Sequence, residues 1–118
     1  MEDKNLTSPI IELLKKATTE MLVLSVLIEH EAHIYSIVSE LEQRSGGKCK
    51  IAFPYAAIYR LIEGGYIAEA GKRIDDNRRR QFYCITDNGR EYYRLLKKEY
   101  LSFTDAIRDI LSDKEEGI

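Results

Sequence analysis

Tryptophan is missing from the chain altogether, and cysteine, proline, histidine and methionine each occur only twice in 118 residues. Two cysteines, Cys49 and Cys84, make neither a disulfide framework nor a four-cysteine zinc site. Without tryptophan, no ligand pocket can rest on indole stacking. Long apolar runs are missing too. Met21-Leu22-Val23-Leu24, resuming after Ser25 as Val26-Leu27-Ile28, falls far short of the ~20 residues that span a bilayer. The opening Met1-Glu2-Asp3-Lys4 is acidic where a signal peptide would be basic and then apolar. Strong charge of one sign is also absent, because 18 basic and 20 acidic side chains leave a net −2. That balance excludes a disordered acidic or basic tail and a histone-like protein held on DNA by bulk charge. A soluble, reduced, cytoplasmic protein without metal or cofactor is expected.

Apolar types make up 44% of the chain, enough for one domain with a real core and a helical appendage. The charge is unevenly spread. Residues 44–90 hold ten bases (Arg44, Lys48, Lys50, Arg60, Lys72, Arg73, Arg78, Arg79, Arg80, Arg90) against five acids, net +5, and the flanks are net −7. A basic middle between acidic flanks points to a local surface for a polyanion.

Ser8-Pro9 predicts a helix opening, and Ile10, Leu13, Leu14 and Ala17 follow at helical spacing. The segment 8–29 reads as one helix or as two broken near Ala17-Thr18-Thr19. Ile34, Ile37, Val38 and Leu41 predict a second helix, stopped by Gly46-Gly47. A third is predicted from about Pro54 to Glu63, with Ile58, Leu61 and Ile62 inward and Phe53, Ala56, Ala57 and Arg60 outward. Residues 66–70 and 81–85 then read as two strands joined by a basic polar stretch, 71–80, containing the turn residues Asp75-Asp76-Asn77. Thr86 caps a last helix reaching about Ser112. Along it Tyr92, Leu96, Tyr100, Phe103, Ile107 and Ile110, joined by Leu111, form a near-heptad seam. That seam either packs on the N-terminal helix of the same chain or, the favoured reading, forms a dimer interface.

The expected fold is mainly α with a small two-stranded β-wing: a winged helix-turn-helix followed by a long C-terminal dimerisation helix. In such an arrangement the third helix enters a major groove and the wing lies beside it. Residues 1–86 would form the DNA-binding unit and 87–118 the dimerisation helix and tail.

With those motifs in order, residues 19–96 resemble the PadR family of transcriptional regulators. The family's "HGY" corresponds to His33-Ile34-Tyr35, and its "LYPaLhrLeeeGli" to the stretch from Pro54 to Ile67. Its "rrrkyYrLTeeGrr" corresponds to Arg78-Arg79-Arg80-Gln81-Phe82-Tyr83-Cys84-Ile85-Thr86-Asp87-Asn88-Gly89-Arg90, where basic wing, aromatic strand and capped helix keep fixed register. The chain departs from the pattern at Ile34, in place of glycine, and at Tyr55-Ala56, in place of "YP". The resemblance implies a homodimer of the short subfamily on a palindromic double-stranded DNA operator. It also implies a repressor released by a small aromatic or drug-like effector.

On that reading Lys48 and Lys50 reach the DNA backbone, and Tyr35 donates to a phosphate. Tyr55 and Tyr59 lie on or beside the exposed side of the third helix. Arg60 is the natural guanine reader, because its fork matches O6 and N7. Lys72, Arg73, Arg78, Arg79 and Arg80 make the wing a backbone clamp or minor-groove probe. Successive strand residues point to opposite faces, so no more than two of the three consecutive arginines face DNA if they continue the strand. Tyr92, Tyr93, Tyr100 and Phe103 either line an effector cavity or simply fill the interface. Other motifs lead nowhere: His30-Glu31-Ala32-His33 lacks the zincin spacing, and Thr86-Asp87-Asn88-Gly89 lacks the ligands of a calcium loop. Cys49, between two lysines, reads as a small structural residue rather than a redox switch. No nucleophile with a base, P-loop or dinucleotide fingerprint is present, so an enzyme is not expected. The competing classes are a winged-helix protein-interaction module without DNA binding and an RNA-binding winged helix.

Overall fold

Residues 8–52 and 54–116 are described by a computed structural model, with side chains through residue 112. Phe53 and the acidic start at residues 1–4 lie outside them. The first helix, α1 (Pro9–Leu27), opens on proline as expected, although the Ser8 hydroxyl makes no capping hydrogen bond. It runs unbroken through Thr18 and Thr19, whose hydroxyls donate to the carbonyls of Leu14 and Lys15 at 2.7 and 2.6 Å. The two polar side chains are thus satisfied within the helix instead of breaking it.

Next come β1 (Ala32–His33) and α2 (Ile34–Arg44). His33 caps α2 reciprocally: its Nδ1 accepts from the Ser36 N–H at 3.3 Å, and its own N–H donates to Ser36 Oγ at 3.1 Å. After Gly46 and Gly47, both at positive φ, the chain reaches α3 (Tyr55–Glu63). The strands β2 (Ile67–Asp75) and β3 (Arg78–Ile85) follow, and α4 (Asp87–Glu116) completes the chain. The Thr86 hydroxyl caps α4 by accepting from the Gly89 N–H at 3.0 Å, and it donates to the Gly65 carbonyl at 2.7 Å.

The wing corrects the sequence expectation twice. It belongs to a three-stranded antiparallel sheet, β1-β3-β2, because Ala32 and His33 pair with Tyr83 and Phe82. A two-residue strand carries no periodicity of its own and exists only as a partner of β3. The strands also run far into the stretch expected to be a polar loop. Their turn is only Asp76-Asn77, both at positive φ (56° and 62°), the geometry of a tight two-residue hairpin. A bulge between Glu69 and Lys72, with Gly71 at φ 98°, bends β2.

The core gathers Val23, Leu24, Val26 and Leu27 of α1, Ile37 and Leu41 of α2, Ile58 and Leu61 of α3, and Ile67 and Tyr83 of the sheet. Ala57, expected on the outer face of α3, is also buried. Four residues round a helix turn bring position 57 nearer to Leu61 than to Ala56 or Arg60. Among the described residues, no helix is long and apolar enough to cross a membrane.

Candidate nucleic-acid interface

On the nine-residue α3, Ala57, Ile58 and Leu61 turn inward, and Tyr55, Ala56, Tyr59, Arg60 and Glu63 turn outward. At about 100° per residue, the two tyrosines run along one flank of that outer face and Arg60 along the other. The tyrosine flank lies toward the wing. Tyr83 of β3 feels both hydroxyls, and burial, followed by the Glu69 carboxylate, raises its own hydroxyl above the ordinary tyrosine range. Tyr59 is 61% exposed. The Arg60 flank lies toward α1, where the Arg60 Nε–H donates to Glu20 Oε2 at 2.6 Å.

The loop before α3 carries Lys48 and Lys50 into solvent. Lys50 also lines a groove of about 670 Å³ between α1 and α3, together with Lys15, Lys16 and Arg60. Nothing in the charge balance of the acidic N-terminal flank singled out Lys15 and Lys16; their dipeptide, followed four residues on by Glu20, was the available signal. Cys49 is half-buried and its N–H donates to Ser45 Oγ at 2.8 Å.

The wing cations divide into two sets. Because β3 starts at Arg78, Arg78 and Arg80 share one face with Arg73, and Arg79 shares the other with Ile74. Arg80 lies over the Tyr35 ring at 4.3 Å, and its buried Nε has no hydrogen-bond partner among the described residues. Arg73 lies over the Phe82 ring at 4.4 Å, donates to the Ala70 carbonyl and pairs with Glu31. Lys72, Arg78 and Arg79 are exposed. The side of the wing that holds Arg73 and Arg80 is thus fastened to the segment around the start of α2. The fastening includes a buried histidine that residue spacing did not flag as structural: His33 Nε2–H donates to Asp75 Oδ2 at 2.7 Å, since Nδ1 is already an acceptor. His30, by contrast, faces Glu40 at 2.9 Å, so the two histidines do not converge. Among the described residues, no group of three or more His, Cys, Asp or Glu side chains is arranged to hold a metal ion.

The profile of the transcriptional regulator PadR-like family matches residues 23–95, more than half the chain. The chain belongs to the PadR-like family of transcriptional regulators. Among curated protein sequences, none matches it. Solved structures agree with the family. A transcriptional regulator from Clostridium thermocellum is 25% identical, with a TM-score of 0.75 over 84% of this chain and 98% of that one. A PadR family transcriptional regulator from Eggerthella lenta superposes with a TM-score of 0.75 at 24% identity, covering 97% and 96% of the two chains. The PadR-like regulator of Bacillus cereus shares the fold at 18% identity and a TM-score of 0.71, over 85% and 97%.

Within this PadR-like frame, the C-terminal seam separates into two parts. Tyr92 stacks on Tyr66 with ring centroids 4.1 Å apart, and Leu96 packs on the core, as does Tyr93. Those first two seam positions are therefore half-buried against their own chain. From Tyr100 onward no described residue buries the seam: Phe103 is 68% exposed, and Ile107, Ile110 and Leu111 are exposed as well. The α1 start is equally bare at Ile10, Leu13 and Leu14, which helical spacing had identified as a face without saying what lay against it. Between the two helices a groove of about 490 Å³ is lined by Met21, Tyr92, Leu96, Tyr100 and Phe103, with Lys16, Glu20 and Glu99 at polar positions. Tyr93 faces elsewhere, beneath Lys97.

Proposed function

We propose that this PadR-like regulator binds a palindromic double-stranded DNA operator as a homodimer and represses the genes beside it. The observation that carries the reading is the exposed face of α3, Tyr55 to Arg60, next to a wing that keeps Lys72, Arg78 and Arg79 in solvent. Arg60 reads a guanine and Tyr55 and Tyr59 line the groove wall, while Lys48, Lys50, Tyr35 and the free wing cations neutralise phosphates. Residues 1–86 act as the DNA-binding unit and 87–118 as the dimerisation helix and tail. The bare ends of α1 and α4, including Tyr100, Phe103, Ile107, Ile110 and Leu111, meet those of a second copy. A small aromatic or drug-like effector enters the α1/α4 groove and releases the operator.

Fluorescence anisotropy on the DNA upstream of the chain's own gene, beside scrambled DNA and across a salt series, tests the reading. Preferential binding with a steep linear salt slope supports it. Absence of binding at low salt rejects it and moves attention to protein partners of α4.

A further inference from the structure

We infer that Glu20 is a specificity-determining positioning residue: its carboxylate fixes the Arg60 guanidinium so that the free edge of the fork faces a guanine. The inference deepens the proposed DNA reading and rests on it. Glu20 belongs to α1, forty residues before Arg60, and no motif places it in the reading head.

The geometry is that of a braced arginine. The Arg60 Nε–H is committed to Glu20 Oε2 at 2.6 Å, and the two terminal Nη nitrogens bond to no described residue. The Arg60 side chain is 58% exposed, whereas that of Glu20 is 25% exposed. With Nε held, the remaining edge presents two parallel N–H donors, the arrangement that matches guanine O6 and N7. An unbraced arginine would lose far more side-chain freedom on meeting a base, and a preset fork avoids that loss. Close by stands Tyr92 of α4, whose ring lies against Tyr66 and whose hydroxyl is raised above the ordinary tyrosine range by burial and then by the Glu20 carboxylate. Three helices thus come together near one carboxylate: α1 supplies it, α3 is oriented by it, and Tyr92 of α4 lines the same α1/α4 groove as Glu20.

Two roles for Glu20 predict opposite results. As a plain negative charge near DNA, it weakens binding to every sequence alike, and its removal strengthens all of them. As a brace, it raises discrimination at the base pair that Arg60 reads. The probe is a duplex selected from a randomised pool by the wild-type protein, compared with duplexes in which each G·C pair is replaced in turn. Glu20→Gln is expected to leave random DNA bound as well as before or slightly better, and to cut discrimination at one G·C pair about three- to fivefold. Glu20→Asp, which keeps the charge but shortens the arm, is expected to lose discrimination likewise. In an Arg60→Ala background neither substitution changes discrimination further. Thermal unfolding of each variant shows that the fold is intact. A uniform shift across all duplexes on Glu20→Gln, or an equal loss of discrimination in the Arg60→Ala background, overturns the inference while leaving the DNA reading in place. If the wild-type protein selects no sequence, the DNA reading itself fails and the inference falls with it.

Discussion

Leu24, Ile37, Ile58 and Leu61 are sealed inside the head, where α1, α2, α3 and the sheet close round them, whereas Leu13, Phe103 and Ile110 stand in solvent along the free ends of α1 and α4. The same residue types are treated in opposite ways by two parts of one chain. The head has enough elements to cover its own core, and even its wing is fastened by Arg73, Arg80 and the His33–Asp75 hydrogen bond. The 30-residue α4 spans about 45 Å, well beyond any surface the head offers it. Apolar stripes of that kind mark a surface that needs another molecule. The head covers its own core, whereas the two helical ends leave theirs open, and a second copy is the occupant proposed for them.

The largest effect is expected where the contrast is sharpest. Phe103→Asp with Ile110→Asp should weaken self-association at least thirtyfold, from the loss of about 2 kcal/mol or more of anchor contacts. Sedimentation velocity should show a species of twice the 13.7 kDa chain mass becoming one of 13.7 kDa. The head should keep its circular dichroism. An unchanged sedimentation coefficient would mean that the bare ends are not the contact.

A second test lies at the junction of the two regions. Gly89, in the first turn of α4, is buried so tightly that a Cβ would run into the Tyr66 carbonyl. Gly89→Ala should therefore destabilise the head by about 2–3 kcal/mol in urea unfolding. Equal stability would show that α4 is loosely joined to the head.

The wing sharpens the comparison inside the head. Arg79→Ala should lower the slope of log K against log salt by about 0.9 and weaken all DNA sequences alike. Arg80→Ala removes a guanidinium lying on Tyr35 and should instead reduce stability by about 0.5–1 kcal/mol with little change in slope. The double variant combines both losses, and an unchanged affinity and slope would remove the wing from the DNA surface.

The smallest effect concerns His30. A hydrogen bond to the Glu31 carbonyl, opposed by desolvation and helped by the Glu40 carboxylate, raises its ring above the ordinary 6.5. A raised folded value stabilises the protein fully below the unfolded pKa and loses that contribution as pH rises through the folded one. Wild type should thus be slightly more stable than His30→Gln in acid, with the gap closing as pH rises through the folded value. A gap that widens with rising pH would reverse the assignment.

How much of this was legible in the sequence depends on distance along the chain. Helices α2, α3 and α4 announce themselves because Ile37, Leu41, Ile58 and Leu61 repeat at the helix period and glycines or Thr86 mark the ends. β1 was invisible because two residues hold no pattern. The wing strands were read too short because Lys72, Arg73 and Arg78 look like loop residues, although exposed hairpin strands tolerate charge on both faces. The site was legible in its residue types and not in its pairings. Arg60 stood out as a candidate base reader, while Glu20, its partner on another helix, offered no local signal. Likewise the seam could be followed to Leu111, yet only packing reveals that Tyr92 and Leu96 also touch the core of their own chain.

A hydroxyl-radical footprint of the wild-type protein on its selected duplex should show two protected half-sites related by two-fold symmetry, with centres about 34 Å or a multiple of it apart. Both should be lost together in Phe103→Asp with Ile110→Asp. A single unpaired protected site, or uniform protection along the duplex, would contradict a homodimer on a palindromic operator.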